Sequence, residues 1–269
     1  MNRIDRALAR AREEKRGALI VFVTAGDPDL DTTVELVGEL AAAGADVIEL
    51  GVPHSDPIAE GLTIQAASAR ALARGVTLSG LLAALPRMRK ICEAPIVLMG
   101  YLNNVLAFGP EPLAEACSDV GVDGLIVADA PYDEAEALQS ACEAHGVHRI
   151  LLVAPTSTPE RVVQIARRSR GFVYCVAVTG VTGERAALPQ ELEELVARIR
   201  RVTATPVAVG FGIAAPRQAA AVAAIADAVI VGSALVRRIG EASSSADGIR
   251  DAAEFVRELS HAIRAASSR

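Results

Sequence analysis

The chain has 269 residues, of which 51% are hydrophobic and only 3% aromatic, and its formal net charge is −6. This charge argues against nucleic acid as the main partner, because binding to the phosphate backbone requires a basic surface. The N-terminus is charged and lacks the apolar segment of a signal peptide, and no apolar run reaches the length of about 18 residues that a membrane span needs. The four cysteines are scattered in apolar contexts without a C-x-x-C pair. We therefore expect buried reduced thiols and a cytoplasmic location, with no membrane attachment.

Eight short apolar runs alternate with longer helical patterns along the chain. The runs cover residues 18–24, 46–51, 96–101, 124–129, 149–154, 171–177, 206–210 and 228–232. Near-continuous apolar runs are typical of parallel strands that are buried on both faces. Asp46, Asp123 and Asp227 each follow a predicted helix and lead into a strand, in the contexts GAD, GVD and IAD. This echo favours repeated βα units, although no sequence repeat is visible.

The alternation runs without a domain break, and it predicts an α/β fold in which residues 1–269 form a single domain. We expect a closed (β/α)8 barrel, the TIM-barrel architecture, with an extra N-terminal helix and a short phosphate-binding helix after strand eight. The alternative is an open doubly wound sheet, which usually carries the nucleotide-binding fingerprint G-x-G-x-x-G. The segment GFGIAA at 210–215 lacks the third glycine. In a barrel, functional residues lie at the C-terminal ends of the strands.

The residues at the predicted C-terminal strand ends would line one pocket: Phe22, Glu49, Tyr101, Asp129, Tyr174, Gly212, Gly232 and Ser233. Glycines after strands seven and eight would let backbone amides approach an anion. The segment that begins at Ser233 is predicted to be a short helix whose N-terminus faces a phosphate, and Gly183 could add a third side. The alternative interpretation is that these glycines only permit tight turns.

Two glutamates near the second strand are candidates for acid and base chemistry. Glu49 ends an apolar run, so burial should raise its pKa towards the neutral range that a proton shuttle needs. The alternative is a buried ion pair with an arginine. Glu60 lies in the following loop and has a weaker case on its own, since exposed loop carboxylates are usually solvated.

The sequence lacks the residues that Schiff-base, nucleophilic or metal-dependent catalysis would require. The two lysines, Lys15 and Lys90, lie in predicted helical or pre-strand positions, which argues against a Schiff-base aldolase. No G-x-S-x-G elbow occurs, and no cysteine lies beside a plausible histidine base. His145 and His148 precede strand five on the opposite face of the barrel and do not indicate a metal site. We expect neither a metal nor an organic cofactor.

Seven segments spread through nearly the whole chain resemble the tryptophan synthase alpha chain family. They are FVTAGDP at 22–28, IELGVPHSDPIAEGLTIQ at 48–65, GVDGLIVAD at 121–129, LLVAPTST at 151–158, GFVYCVAVTGVTGE at 171–184, PVAVGFGI at 206–213 and VIVGSALV at 229–236. The resemblance implies a barrel enzyme that cleaves indole-3-glycerol phosphate to indole and glyceraldehyde 3-phosphate. It also implies that indole passes through a tunnel to a pyridoxal-phosphate beta chain.

The resemblance assigns a role to each candidate residue. Glu49 is the acid-base shuttle, position 60 faces the indole nitrogen, and Tyr174 adjoins the reacting carbons. Thr182 lies on the loop expected to close the site. The aromatic pocket is walled by Phe22, Leu98, Tyr101 and Phe211, and the phosphate is held by Gly183, Gly212, Gly232 and Ser233.

The chain departs from the family pattern at four positions near the two loops that close over the substrate. Glu60 replaces Asp, His54 replaces Phe, Leu62 replaces Pro and Val178 replaces Arg. The extra methylene of Glu60 moves the carboxylate by roughly 1 Å, a misplacement that can cost about a hundredfold in rate. A retreat of the backbone would reduce that loss.

The residues through which family members dock their beta chain are better preserved. They are Pro53, Ser55, Asp56, Pro57, Asn103, Asp129 and Pro131. The resemblance implies an alpha2beta2 assembly. The alternative is ordinary turn chemistry, which Pro and Asp favour anyway.

Three hypotheses for the function follow. The first is a tryptophan synthase alpha subunit, a carbon-carbon lyase that feeds a beta chain. The second is a divergent stand-alone paralogue that acts on the same or a related substrate, which the changes at positions 54, 60 and 178 would explain. The third is a non-catalytic activator of a beta chain, which would leave Glu49 and the phosphate site without a use.

Overall fold

The computed structural model describes residues 1–132, 135–176, 190–210 and 212–267. Eight parallel strands form a closed barrel in chain order. They are β1 (Ala18–Thr24), β2 (Val47–Gly51), β3 (Ile96–Gly100), β4 (Gly124–Val127), β5 (His148–Val153), β6 (Val173–Val176), β7 (Val207–Gly210) and β8 (Ala228–Val231). Because β1 pairs with both β2 and β8, the predicted barrel is confirmed and the open sheet is excluded.

Twelve helices lie within the described ranges and surround the barrel or close its ends. They are α1 (Arg3–Glu13), α2 (Leu30–Ala42), α3 (Leu62–Ala73), α4 (Leu78–Arg89), α5 (Leu102–Phe108), α6 (Pro110–Asp119), α7 (Glu136–Ala144), α8 (Pro159–Arg168), α9 (Gln190–Arg200), α10 (Pro216–Ala223), α11 (Ser233–Glu241) and α12 (Ser245–Ser267). The helix α1 is the predicted extra N-terminal helix, and α11 is the predicted short helix after strand eight.

The strands alternate their side chains between two apolar layers. On β1, Ala18 and Ile20 belong to the cluster that fills the barrel, whereas Leu19 and Val21 belong to the larger cluster between strands and helices. Successive side chains of a strand point to opposite faces, so a shift of one residue moves a side chain from one layer to the other. This alternation decides which strand residues can reach a site inside the barrel.

Helix α1 closes the N-terminal end of the barrel. Its residues Ile4, Leu8 and Ala11 belong to the same apolar cluster as the inward-facing strand residues. A Cβ added at Gly124 or Gly171 would lie 3.0 Å from the Ile4 side chain, so both glycines permit this close packing. Because α1 covers the N-terminal end of the barrel, a ligand can enter at the C-terminal ends of the strands.

The three aspartates that recur just before strands in the sequence share one structural role. Asp46, Asp123 and Asp227 each accept a hydrogen bond from a backbone amide in the first two residues of the preceding strand, at 2.8 to 2.9 Å. Each also pairs with an arginine. The partners are Leu19 and Arg16 for Asp46, Ile96 and Arg89 for Asp123, and Val207 and Arg200 for Asp227. The repeated pattern therefore joins neighbouring strands at the N-terminal end of the barrel, opposite the end where functional residues lie.

All four cysteines, Cys92, Cys117, Cys142 and Cys175, are buried and free of disulfide bonds. Burial raises the pKa of the Cys175 thiol to about 12, so this group stays protonated. The expectation of buried reduced thiols is confirmed.

Candidate functional site

A cavity of about 280 Å³ opens at the C-terminal end of the barrel. Its lining combines apolar side chains, one carboxylate, one phenol and several glycines: Phe22, Ala59, Glu60, Gly61, Ile64, Met99, Leu152, Tyr174, Val176, Gly210, Gly212, Ile213, Ile230, Gly232 and Ser233. Mostly apolar lining with a few converging polar groups is typical of small-molecule sites. Six of the residues proposed from the sequence line this one cavity.

Glu49 lies on β2 directly beneath the cavity. It is in register with Phe22 on one side and Val97 on the other, and its side chain is fully buried. Val47, two residues earlier, belongs to the cluster inside the barrel, so Glu49 also points inward. Neither carboxylate oxygen has a hydrogen-bond partner among the described residues. The alternative of an arginine ion pair is thus not observed in the described part of the chain.

The electrostatic surroundings of Glu49 favour its protonated form. Burial, together with the smaller effect of the nearby Glu60 charge, raises the pKa of this carboxyl to about 8. A buried carboxylate without partners is costly, so the group takes up a proton instead. At neutral pH Glu49 can therefore donate a proton.

Glu60 lies in the loop between β2 and α3 and lines the cavity. Burial raises its pKa to about 7, and the Tyr101 hydroxyl partly opposes this rise. The side-chain amide of Gln65 donates a hydrogen bond to the Glu60 carbonyl oxygen at 2.8 Å, which ties the loop to α3. The interpretation of Glu60 as a solvated loop carboxylate is wrong, because the side chain is partly buried against the site.

Tyr174 projects from β6 into the cavity, next to Gly210 at the end of β7. It is in register with Leu152 and Ala208. A Cβ added at Gly210 would lie 2.9 Å from the Tyr174 hydroxyl, so only glycine leaves room for the phenol. Burial raises the pKa of Tyr174 well above its ordinary value, and the charges of Glu49 and Glu60 add to the rise. The phenol therefore remains a neutral hydrogen-bond donor.

Glycines and a helix N-terminus form the other end of the cavity. Gly212 has a φ of +53°, and Gly232 precedes α11 without a capping side chain. Ser233 begins α11, which has nine residues, and all three residues line the cavity. Free amides and the helix dipole at such an N-terminus favour an anion. Thr182, Gly183 and Phe211, which were expected to complete this region, lie outside the described residues, as does Val178.

The apolar wall differs from the expectation at one residue. Phe22 lines the cavity as expected, and a Cβ at Gly232 would lie 3.3 Å from its side chain. Leu98 does not, because it is buried in the cluster between strands and helices. Its neighbour Met99 faces the cavity instead. The assignment of Leu98 was displaced by one residue, and strand alternation with Val97 inside the barrel could have corrected it.

Sequence reasoning also missed several apolar lining residues, which lie on strands, in the loop after β7 or, for Ile64, on α3: Ile64, Leu152, Val176, Ile213 and Ile230. None has a chemical signal of its own. Register with a known inward residue would have found Leu152, which pairs with Tyr174.

Tyr101 lies behind the cavity wall rather than in it. It precedes α5 and is 2% exposed, and its hydroxyl accepts a hydrogen bond from the Ala59 amide at 3.2 Å. Its ring stacks on His54 with 4.4 Å between ring centroids. Tyr101 therefore contacts the loop that carries Glu60 and does not line the pocket.

The residues expected to face a partner lie together beside the site. The His54 ring joins the loop after β2 to α5 through a 2.9 Å contact with the Asn103 side chain. Asp129 accepts a hydrogen bond from the Leu102 amide at 2.7 Å, at the start of α5. Asp56, Asn103 and Asp129 are exposed, whereas Pro53 and Pro57 are buried and Pro131 is half-buried.

Exposed apolar side chains flank these residues. Ile58 is 72% exposed, Leu62 is 83% exposed and Leu106 on α5 is 65% exposed. We call the surface formed by Asp56, Ile58, Leu62, Asn103, Leu106 and Asp129 the partner face. Large exposed apolar groups clustered with polar ones are typical of protein interaction sites.

The described residues offer neither a metal site nor a membrane-spanning helix. No group of three or more His, Cys, Asp or Glu residues there has the arrangement of a metal site. No helix there is both long enough and apolar enough to cross a bilayer.

Comparisons with known proteins agree with this geometry. The family model described as tryptophan synthase alpha chain matches residues 8–264. The tryptophan synthase alpha chain of Geobacter sulfurreducens is 48% identical over 263 residues, which cover 98% of this chain and 99% of the relative. That of Synechocystis is 48% identical over 264 residues and covers 98% and 100% of the two chains.

Solved structures give the same result. A chain of Mycobacterium tuberculosis tryptophan synthase superposes with a TM-score of 0.89 at 39% identity and covers 98% of both chains. The tryptophan synthase alpha chain of Legionella pneumophila has a TM-score of 0.89 at 37% identity and covers 98% of this chain and 97% of its own. With its closed barrel and its matched length, the chain belongs to the tryptophan synthase alpha chain family.

Proposed function

We propose that Glu49 and Glu60 carry out the retro-aldol cleavage of indole-3-glycerol phosphate to indole and glyceraldehyde 3-phosphate in this chain. Family membership makes the protein a carbon-carbon lyase of the tryptophan synthase alpha type. The observation that carries the assignment is the buried, unpaired Glu49 carboxyl beneath a cavity that Glu60 and Tyr174 line.

The cavity has an apolar region for the indole ring and an anion-binding region for the phosphate, as this substrate requires. Apolar side chains such as Phe22, Met99 and Ile213 would contact a flat aromatic ring, and Gly212, Gly232 and Ser233 would bind the phosphate. The two carboxylates and Tyr174 lie between these regions. A ligand anchored at both ends would hold its reacting carbons near the acid and base groups.

Glu49 acts first as an acid and then as a base. In its protonated form it donates a proton to the indole ring carbon that bears the glycerol chain. The resulting carboxylate then accepts the proton of the adjacent side-chain hydroxyl. As the hydroxyl becomes an aldehyde, the carbon-carbon bond breaks and its electrons return to the ring. Glu49 ends the cycle protonated, which agrees with its pKa of about 8.

Glu60 acts in its ionised form at the indole nitrogen. Protonation of the ring carbon places positive charge on the ring N–H, and a carboxylate there stabilises that charge. The lower pKa of Glu60, about 7, allows it to be ionised while Glu49 retains its proton. Two carboxyl groups with separated pKa values are the arrangement that acid-base enzymes use.

A beta chain is the proposed partner, bound at the partner face in an alpha2beta2 assembly. Exposed Ile58, Leu62 and Leu106 would be covered by it, and Asp56, Asn103 and Asp129 would supply polar contacts at the rim. We also propose that the protein works in the cytoplasm, which the four free buried cysteines support.

A non-catalytic role for the barrel has less support. A buried carboxyl without partners destabilises a fold, so a docking module would have no reason to keep Glu49. Nothing in the cavity favours a different substrate.

The test is to incubate the purified protein with indole-3-glycerol phosphate, alone and with a beta chain, and to measure indole. We expect cleavage in both cases and a stronger signal with the beta chain. Glu49→Gln should reduce the rate by about a hundredfold or more, the usual contribution of acid-base catalysis. Absence of indole in both conditions, from a folded protein, would reject the proposal.

A further inference from the structure

His54 makes three contacts, two of which connect the loop after β2 to the start of α5, while the third lies within the loop. Its ring stacks on the Tyr101 ring at 4.4 Å and an interplanar angle of 28°. Its Nε2 lies 2.9 Å from Oδ1 of Asn103, and its Nδ1 accepts a hydrogen bond from the Asp56 amide at 3.1 Å. A side chain held at both nitrogens and at one face has little freedom to move.

The partners of His54 determine its proton. A backbone amide can only donate, so Nδ1 must carry a lone pair towards Asp56. The neutral ring then carries its proton on Nε2, which donates to the Asn103 side-chain oxygen. Both ring nitrogens are satisfied in this one tautomer. Phenylalanine at this position would retain the stack and lose both hydrogen bonds.

Tyr101 carries the contact onwards to the site. Its hydroxyl accepts a hydrogen bond from the Ala59 amide, one residue before Glu60. The same hydroxyl lowers the pKa of Glu60 against the larger effect of burial. Burial, together with the smaller effect of the Glu60 charge, raises the pKa of Tyr101 to about 12, so the phenol keeps its proton and can donate it in a hydrogen bond. The Tyr101 ring thus lies between His54 and Glu60.

We propose that His54 is a positioning residue for Glu60, acting through the Tyr101 ring that it clamps from outside the cavity. The longer side chain of Glu60 has one more rotatable bond than aspartate and needs a firmer support to hold its carboxylate in one place. The clamp supplies that support from a position that does not touch the cavity. This inference rests on the proposed role of Glu60 in the reaction.

A role for His54 only in the stability of the loop is the competing explanation. The two explanations predict different effects of a His54 substitution on the pKa of Glu60. If His54 only stabilises the turn, replacing it leaves the titration of Glu60 unchanged. If it positions Tyr101, replacing it removes the hydroxyl from Glu60 and raises the pH at which Glu60 ionises. The acidic groups that act on the Tyr101 ring are Glu60, Asp129 and Asp56, and all must be considered in such a titration.

The chain offers a direct probe of this titration, since it contains three tyrosines, Tyr101, Tyr132 and Tyr174. Protein labelled with ¹³C at the tyrosine ζ carbon would give three NMR signals, assigned by Tyr→Phe variants. The Tyr101 signal, followed against pH, should show an inflection near pH 7 that Glu60→Gln removes. This step needs no substrate, so it succeeds or fails independently of the lyase assay.

His54→Ala should raise that inflection by about one pH unit, the size of one lost hydrogen bond to a carboxylate. His54→Phe should shift it by less than half as much, because the stack is retained. His145→Gln is the matched control, since the His145 ring also makes a side-chain contact through Nε2, to Glu111 at 2.8 Å, but at the opposite end of the barrel. It should leave the inflection in place.

Kinetics supply the second measurement. His54→Ala should lower kcat about tenfold with little change in KM, and His54→Phe should restore most of the loss. Unchanged Tyr132 and Tyr174 signals would show that the variants are folded. An inflection that is the same in His54→Ala and in the native protein, or one that Glu60→Gln does not remove, would overturn the proposal.

Discussion

The fully buried carboxyl of Glu49 is electrostatically coupled to the carboxyl of Glu60, and the two groups have different raised pKa values, about 8 and about 7. The difference follows from their positions. Glu49 lies inside the barrel without a partner among the described residues, whereas Glu60 lines the cavity and interacts with the Tyr101 hydroxyl.

The length of the Glu60 side chain is expected to suit this pocket. Glu60→Asp withdraws the carboxylate by roughly 1 Å from the cavity and from Tyr101, so kcat/KM for indole-3-glycerol phosphate should fall about tenfold to a hundredfold. Steady-state assays of indole formation measure the effect, and Glu60→Gln distinguishes loss of reach from loss of charge. A large gain in activity for Glu60→Asp would mean instead that the site still fits the aspartate of the family.

The pH dependence of kcat/KM should be bell-shaped. The reaction needs Glu60 ionised, which requires a pH above about 7, and Glu49 protonated, which requires a pH below about 8. The profile should therefore be narrow, with its maximum between these values. In Glu60→Gln the acidic limb should disappear while the basic limb remains. A broad plateau from roughly pH 6 to roughly pH 9 would contradict the assignment.

Glu49 should make the fold less stable as the pH rises. Its pKa is near 4.5 in the unfolded chain and about 8 in the folded state, so between these values the folded state binds the extra proton. Stability falls with pH wherever the folded state holds more protons. The destabilisation is absent below about pH 4.5, complete above about pH 8, and amounts to several kcal/mol at ~1.4 kcal/mol per pH unit.

Urea unfolding of the native protein and of Glu49→Gln across this range checks the prediction. The free energy of unfolding of the variant, minus that of the native protein, should increase steadily with pH. Glu60 contributes a change of the same sign to both proteins, so apart from its coupling to Glu49 it cancels in the difference. A difference that stays constant from acid to alkaline pH would show that Glu49 does not hold its proton in the folded state.

Ser233 is expected to contribute a hydrogen bond to the phosphate. Ser233→Ala removes the hydroxyl at the start of α11, and the loss of one hydrogen bond to a charged group should raise KM about tenfold with little effect on kcat. Inhibition by inorganic phosphate should weaken to a similar extent. Ser233→Thr, which retains the hydroxyl, serves as the matched variant. Equal KM values for the Ala variant and the native protein would place the phosphate elsewhere.

The partner face is expected to bind a beta chain through its exposed apolar side chains. Leu106→Ser should weaken association with a beta chain and reduce its stimulation of cleavage, while the activity of the isolated protein stays the same. Ile91→Ser is the control, because Ile91 is also exposed, at 55%, but lies beyond α4 at the other end of the barrel. Titration calorimetry measures both. Equal weakening by the two variants would argue against this surface.

Several features were predictable from the sequence because they depend on local pattern. Eight apolar runs with helical segments between them determined the closed barrel, and each predicted run overlaps an observed strand. Strand ends and glycines then indicated Glu49, Tyr174, Gly212, Gly232 and Ser233 as one group, and all but Glu49 line the cavity above it. Residue type and position along the chain were sufficient for these.

Other features required the tertiary structure, since they depend on which face a side chain occupies and what surrounds it. Leu98 and Met99 are adjacent apolar residues, and only the strand register shows that Met99 faces the cavity. Glu49 could have been paired with an arginine, and only the barrel interior shows it buried without one among the described residues. Tyr101 and His54 lie far apart in the sequence. Their rings stack because the loops after β2 and β3 meet at the same end of the barrel. Burial and contact between distant segments set the pKa values, and a sequence pattern contains neither.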